Sequence, residues 1–167
     1  MFLNLFPIMF SNTLFKKILS IGVLLLVMLL TVQSAFAGRG PTYVDRKGMA
    51  IGGYDPVAYF KQEKAIAGRA EFQYEWNGGL WSFSSADNLA SFQQNPEKYA
   101  PQYGGYCAYA VANNSYARID PTIFTVDDGK LYLNYNARVQ KRWRKKQSTF
   151  INDADEYWPQ LLEKQKK

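Results

Sequence analysis

The chain has 167 residues, 16% of them aromatic, with a net charge of +6 and a pI near 9.3. It contains no His and a single Cys, Cys107, which excludes a Ser-His-Asp triad, a His-paired thiol, a His-ligated zinc and any disulfide within the chain. P-loop, G-x-S-x-G and G-x-G-x-x-G patterns are also absent, so organisation rather than a catalytic signature must carry the reading.

Lys16 and Lys17 are the only charged residues before Gly38. An apolar run from Ile18 to Val32 follows, interrupted by Ser20, Gly22 and Thr31, and leads into the A-x-A pattern of Ser34-Ala35-Phe36-Ala37. Residues 1–37 are therefore expected to be a secretory signal peptide cleaved after Ala37, with Met9 an alternative start to Met1. The run is shorter than the roughly 20 apolar residues of a membrane span. Cleavage would leave a net charge of +4 in a periplasmic or secreted protein, where a nucleic-acid partner is not expected and an odd thiol is buried, paired with another molecule or reactive.

Residues 38–50 read as a loose polar leader and 51–167 as one small α+β domain. Asp55-Pro56 suits a helix start, with Asp as cap and Pro at the first position. Phe72, Tyr74 and Trp76 alternate with Glu71, Gln73 and Glu75, the pattern of a half-buried strand. Asn77-Gly78 then supplies a hairpin turn that pairs Tyr74 with Trp81 and Phe72 with Phe83, aromatics on one face. Ser84 or Ser85 caps a following helix carrying Leu89 and Phe92, ended by Asn95-Pro96. Asp120-Pro121 reads as a turn starter. A second hairpin joins Ile123–Val126 to Leu131–Tyr135 through Asp128-Gly129, pairing Val126 with Leu131 and Phe124 with Leu133. From Asn136 onward the chain reads as helix, with Val139, Trp143 and Phe150 inward and Pro159 starting a last turn. The expected fold is thus two antiparallel β-hairpins packed against short helices, with a C-terminal helical extension.

Several of these blocks together resemble the YHS domain: Gly53-Tyr54-Asp55-Pro56-Val57-Ala58-Tyr59, Tyr74-Glu75-Trp76-Asn77-Gly78, Trp81-Ser82-Phe83-Ser84-Ser85, Phe92, Asn95-Pro96 and Lys98-Tyr99. The segments Tyr103-Gly104-Gly105-Tyr106-Cys107-Ala108-Tyr109-Ala110 and Asp128 to Asn136 are similar to the exported, single-domain bacterial branch of that family. The resemblance implies a small module proposed to bind heavy metals such as copper. Metal-type members carry Cys where this chain has Ala58, and further Cys where it has Ser84 and Asn88, so those ligands do not carry over.

Tyr99 to Tyr109 is the segment most suited to chemistry. Tyr103, Tyr106 and Cys107 flank the Gly104-Gly105 pair, which permits close approach of backbone or ligand. A thiol suits copper or another soft metal, and phenolates can hold haem iron. The structural alternative is that Cys107 is a small buried hydrophobe and the tyrosines fill a core. Asp55 is either a cleft carboxylate or a cap. Asp153, Asp155 and Glu156 read as a solvated surface or the acidic first turn of a helix. Arg138, Lys141, Arg142, Arg144, Lys145 and Lys146 form an acid-free run, either a solvated helix face or a surface for anionic lipid or an acidic partner.

The leading expectation is a non-enzymatic module that holds a metal, a metal-bearing cofactor or a small molecule near Cys107, Tyr103, Tyr106 and Asp55. A protein-interaction scaffold without a ligand is the alternative. A thiol-dependent redox protein using Cys107 is the third, and it requires an exposed thiol.

Overall fold

A computed structural model describes residues 40–165; the expected signal peptide lies outside these residues. Two antiparallel hairpins carry the architecture. β1 (Arg69–Trp76) pairs with β2 (Gly79–Phe83), and β3 (Asp120–Asp127) pairs with β4 (Lys130–Asn134). The α-helices among the described residues are α1 (Ala58–Lys61), α2 (Ala86–Gln94), α3 (Pro96–Tyr99), α4 (Ala108–Val111), α5 (Ala137–Arg144) and α6 (Gln147–Lys164), with 3-10 turns at Ile51–Gly53 and Gln102–Gly105. This is the α+β arrangement expected.

Both hairpin turns follow from local chemistry. Asn77 and Gly78 have φ of 47° and 77°, and Asp128 and Gly129 have 47° and 69°. Two successive left-handed residues make the turn whose twist matches the flanking strands, and Asn, Asp and Gly tolerate that geometry best. Near the turns the registers are as expected, with Tyr74 opposite Trp81, Val126 opposite Leu131 and Phe124 opposite Leu133. Farther out, both slip. Phe83 faces Arg69 rather than Phe72, because β1 carries a bulge between Arg69 and Gln73. Gly68 sits so close to β2 that a Cβ there would lie 2.4 Å from that of Ser82. In β3 the shift lies between Asp120 and Phe124. Pro121 cannot donate to the ladder, Asp120 Oδ1 accepts from the amide and hydroxyl of Thr122, and the Pro121 carbonyl accepts from the Tyr59 hydroxyl at 2.8 Å.

The helices start where capping side chains stand. Ser85 accepts from the Asn88 amide, Asn95 from the Lys98 amide and Asn136 from the Val139 amide, each satisfying an otherwise unpaired donor of a first turn. The single helix expected beyond Asn136 is two, broken at Lys145 and Lys146. Trp143 packs on Tyr132 of β4, with ring centres 5.1 Å apart, whereas Phe150 packs on Tyr109 of α4, also at 5.1 Å. The break sends these two anchors to different partners. Pro159 lies inside α6 rather than starting a turn. Burial of Leu161 and a hydrogen bond from Gln165 to the Tyr116 hydroxyl hold the helix beyond it.

The core has two parts. Ile51, Val57, Tyr59, Trp81, Phe83 and Phe92 pack with Leu131 and Leu133 in one; Tyr103, Tyr106, Val111, Trp143 and Leu161 pack with Tyr132 in the other. Alternation along β4 sends Leu131 and Leu133 to the first and Tyr132 to the second, so this strand has both faces covered. Residues 41–50, expected to be loose, are bound into the fold. Thr42 is buried, the Tyr43 amide donates to Gly104 O at 2.8 Å, and the Ala50 amide donates to Leu80 O at 2.9 Å.

Asp55 is fully buried (0% exposed) and accepts five hydrogen bonds. Oδ1 takes the amides of Val57 and Ala58; Oδ2 takes the amide and hydroxyl of Ser84 and the side-chain amide of Asn88. One carboxylate thereby joins the entry to α1, the end of β2 and the first turn of α2. Asp55→Ala would leave these donors unpaired inside the protein and should lower unfolding free energy by about 3–5 kcal/mol in urea denaturation. Asp55→Asn should recover little of that loss, since its amide nitrogen would face other donors. A change below about 1 kcal/mol for Asp55→Ala would show that the carboxylate is not a structural tie.

Candidate functional site

The four residues expected to share a site are engaged with separate partners. Asp55 is spent on the clasp just described. Cys107 precedes α4 and is 1% exposed; its sulfur is 3.8 Å from the Asn134 side-chain nitrogen. Asn134 is itself fully buried, and its Oδ1 finds no hydrogen-bond donor among the described residues. The Tyr106 hydroxyl donates to Gly40 O at 3.1 Å, and its ring packs on Tyr116 and Trp158. The Tyr103 hydroxyl donates to Asp155 Oδ1 at 2.9 Å. No group of three or more His, Cys, Asp and Glu able to hold a metal occurs among the described residues. One sulfur beside a carboxamide is a poor donor set for a soft metal, which needs two or more soft ligands. The residues around Cys107 therefore do not fit the metal centre that the resemblance implies.

Tyr103 does belong to a cavity. A cleft of about 450 Å³ is bounded by Pro41 and Thr42, the β1–β2 turn, the Ala100–Gly104 segment and α6. Trp76 and Trp81 line it from the hairpin, Tyr103 from the turn, and Asp155 and Trp158 from α6. Its wall depends on an unusual backbone. Tyr103 and Gly104 both have left-handed φ, 56° and 60°, and at Gly104 a Cβ would lie 1.8 Å from the Pro41 carbonyl oxygen. Only glycine allows the leader to dock there. The left-handed Tyr103 costs about 1 kcal/mol, offset by its burial and its hydrogen bond to α6.

Asp155 is the functional candidate that composition did not reveal. The acids of this segment were expected on a solvated surface or in a first helical turn; Asp155 is exposed, as the first reading has it, but it lies midway along α6 rather than in its first turn and accepts from the Tyr103 hydroxyl. The signal is in the spacing: Ile151, Asp155, Trp158 and Leu162 recur at i, i+4, i+7 and i+11, placing one acid within an apolar stripe. Elsewhere, Arg138, Lys141, Arg142, Arg144, Lys145 and Lys146 are all exposed. Arg144 donates to the Thr125 hydroxyl, and the Gln140 side chain to Phe124 O, so α5 is pinned to β3 by polar contacts with its other cations outward.

Burial, reinforced by the hydrogen bond to Asp155, holds the Tyr103 phenol neutral far above its usual range. Burial, followed by the charges of Asp155, Asp127 and Asp128, pushes Tyr132 up to about 12. Burial also raises Tyr59.

Two measurements follow from these environments. Cys107 in the native protein should react with an aromatic disulfide reagent at least about 100-fold more slowly than in the urea-unfolded chain, and Cys107→Ser should cost roughly 1–2 kcal/mol. Equal rates would place the thiol at the surface. The raised phenols remain neutral in the folded chain but ionise near pH 10 once unfolded. Stability is therefore full below about pH 10 and falls as pH rises toward and through the folded values. Tyrosinate absorbance for these groups should accordingly appear together with loss of folded circular dichroism. Ionisation of all 12 tyrosines near pH 10 in a still-folded protein would contradict the burial described.

Comparison with known proteins adds one finding. No curated protein and no solved structure matches the chain significantly. Residues 57–103 match the sequence profile of the YHS domain, a span running from α1 through both strands of the first hairpin to the Tyr103 turn at the cleft. The chain is thus similar to the YHS domain over residues 57–103, under half of its length.

Proposed function

We propose that this chain is an exported, non-catalytic binding module whose small ligand enters the cleft between the β1–β2 turn and α6. The cleft itself carries the proposal: about 450 Å³, with aromatic walls and a few polar groups, is the form of a small-molecule site. Burial of the single thiol weighs against redox chemistry at Cys107, and the Tyr103–Asp155 pair in the cleft weighs against nucleophilic catalysis because burial holds that phenol neutral far above its usual range. The donor set at Cys107 weighs against a metal there, so the metal reading yields to a ligand at Tyr103 and Asp155. The signal-like pattern of residues 1–37 supports export to the periplasm or beyond. The outward cations of α5 favour a second, separate role, docking to an acidic protein or an anionic membrane surface.

The cleft reading is tested by ligand-observed NMR of the purified protein against a panel of neutral, anionic and cationic compounds. Compounds that bind should compete with one another. Their binding should vanish in Gln102→Trp and in Leu162→Trp, which place bulk at the cleft wall, while unfolding temperature stays within a few degrees of the parent. Absence of any binder, or binding unaltered in both folded variants, would reject the cleft as a ligand site.

A further inference from the structure

We infer that the ligand of this cleft is an organic cation, an ammonium group with an apolar periphery. The inference rests on the cleft being the binding site and assigns the class of molecule it takes.

Charge is the first observation. The chain as a whole is basic, at +6, yet the charged residues lining the cleft are Glu97 and Asp155, with no Lys or Arg among them. Both acids have capacity to spare. The ion pair present among the described residues is Arg69–Glu71, so neither lining acid is neutralised by a cation. Asp155 uses Oδ1 for the Tyr103 hydroxyl, and its Oδ2 accepts nothing from the described residues. An anionic ligand would meet two uncompensated negative charges and no positive one.

The aromatic walls are the second observation. Trp76 and Trp158, both half-buried, are the indoles with surface left for a ligand, while Trp81 and Tyr103 are buried behind them; the face of an indole attracts a cation. Their polar handles are already committed where the structure shows partners. Trp81 Nε1 donates to Trp76 O at 2.9 Å, and the Tyr103 hydroxyl donates to Asp155. Thr42, also in the wall, donates its hydroxyl to Asn77 O at 2.7 Å. The walls thus offer indole rings and carboxylate oxygens, with the side-chain amides of Asn77 and Gln102 as neutral polar groups and no cationic donor. A hydrated metal ion needs a cage of oxygens, whereas an alkylammonium matches both parts of this lining.

The experiment uses choline and its uncharged carbon isostere, 3,3-dimethylbutan-1-ol, titrated into the purified protein by calorimetry with tryptophan fluorescence as a second readout. Choline should bind about tenfold or more tightly than the alcohol. E97Q and D155N should each weaken choline about threefold, and together about tenfold, leaving the alcohol unchanged. D155N keeps an acceptor oxygen for Tyr103, so folding is preserved. Gln102→Trp should abolish binding of both probes. Equal affinity for the two probes, or indifference of choline to E97Q and D155N, would overturn the cation assignment; alcohol binding that still disappears in Gln102→Trp would show that the cleft reading itself survives. Displacement of choline by calcium would reassign the acids to a metal and overturn the proposal. Failure of both probes on the parent protein would overturn it as well, and the cleft reading falls with it only if the wider compound panel also yields no binder.

Discussion

A buried carboxylate must be satisfied or it unfolds the protein, and this fold is organised around satisfying one. Asp55 is fully buried beside the first core, away from bulk solvent, and five donors of the chain satisfy it. Meeting that need brings α1, the end of β2 and the start of α2 to one point. With those elements fixed, Phe92 of α2 comes to rest on the aromatic face of the first hairpin, touching Tyr74, Trp76, Trp81 and Phe83. The same anchoring presents Trp76 and Trp81 at the rim of the cleft. A residue first considered as a ligand therefore serves the site at a distance, by holding the wall that a ligand would meet.

The parts of the fold that were legible in the sequence are those set by short-range rules. Asn77-Gly78 and Asp128-Gly129 announce turns because left-handed backbone is costly for most other residues, and strand alternation then determines which side chains share a face. The register slips were not legible, because they arise from tertiary demands: the close approach of Gly68 to Ser82, and the proline that leaves its carbonyl for Tyr59. The break after Arg144 was hidden for a similar reason. Helical periodicity runs through Lys145 and Lys146 undisturbed, and only the separate packing of Trp143 and Phe150 requires the turn. Within the candidate site, the glycines and tyrosines of the Tyr103 segment mark its kinked backbone. For Asp155 the spacing marks an acid within an apolar stripe, but nothing local indicates that it will meet the Tyr103 hydroxyl on a distant segment.

The metal chemistry that the resemblance implies and the geometry of this chain part company. A YHS domain invites a search for thiolates, but here the sole thiol is sealed against Asn134 and the side chains around it fill a core. The feature open to a ligand lies on the other side of the Tyr103–Gly104 kink. That kink serves both regions: the tyrosine ring packs into the second core while its hydroxyl reaches the acid of the cleft. The glycine beside it admits residues 41 and 42 as a wall. Pro41 and Thr42 are thus part of the cleft wall rather than a spacer.

β4 has one more consequence. Leu131 and Leu133 belong to one core and Tyr132 to the other, so five residues form a partition that neither side can do without. Removing either core would expose one face of the strand and weaken its pairing with β3, which in turn would expose the other face. The two cores are therefore not independent folding units. They should melt in a single cooperative step, with the amides of β4 among the slowest in the molecule to exchange with solvent.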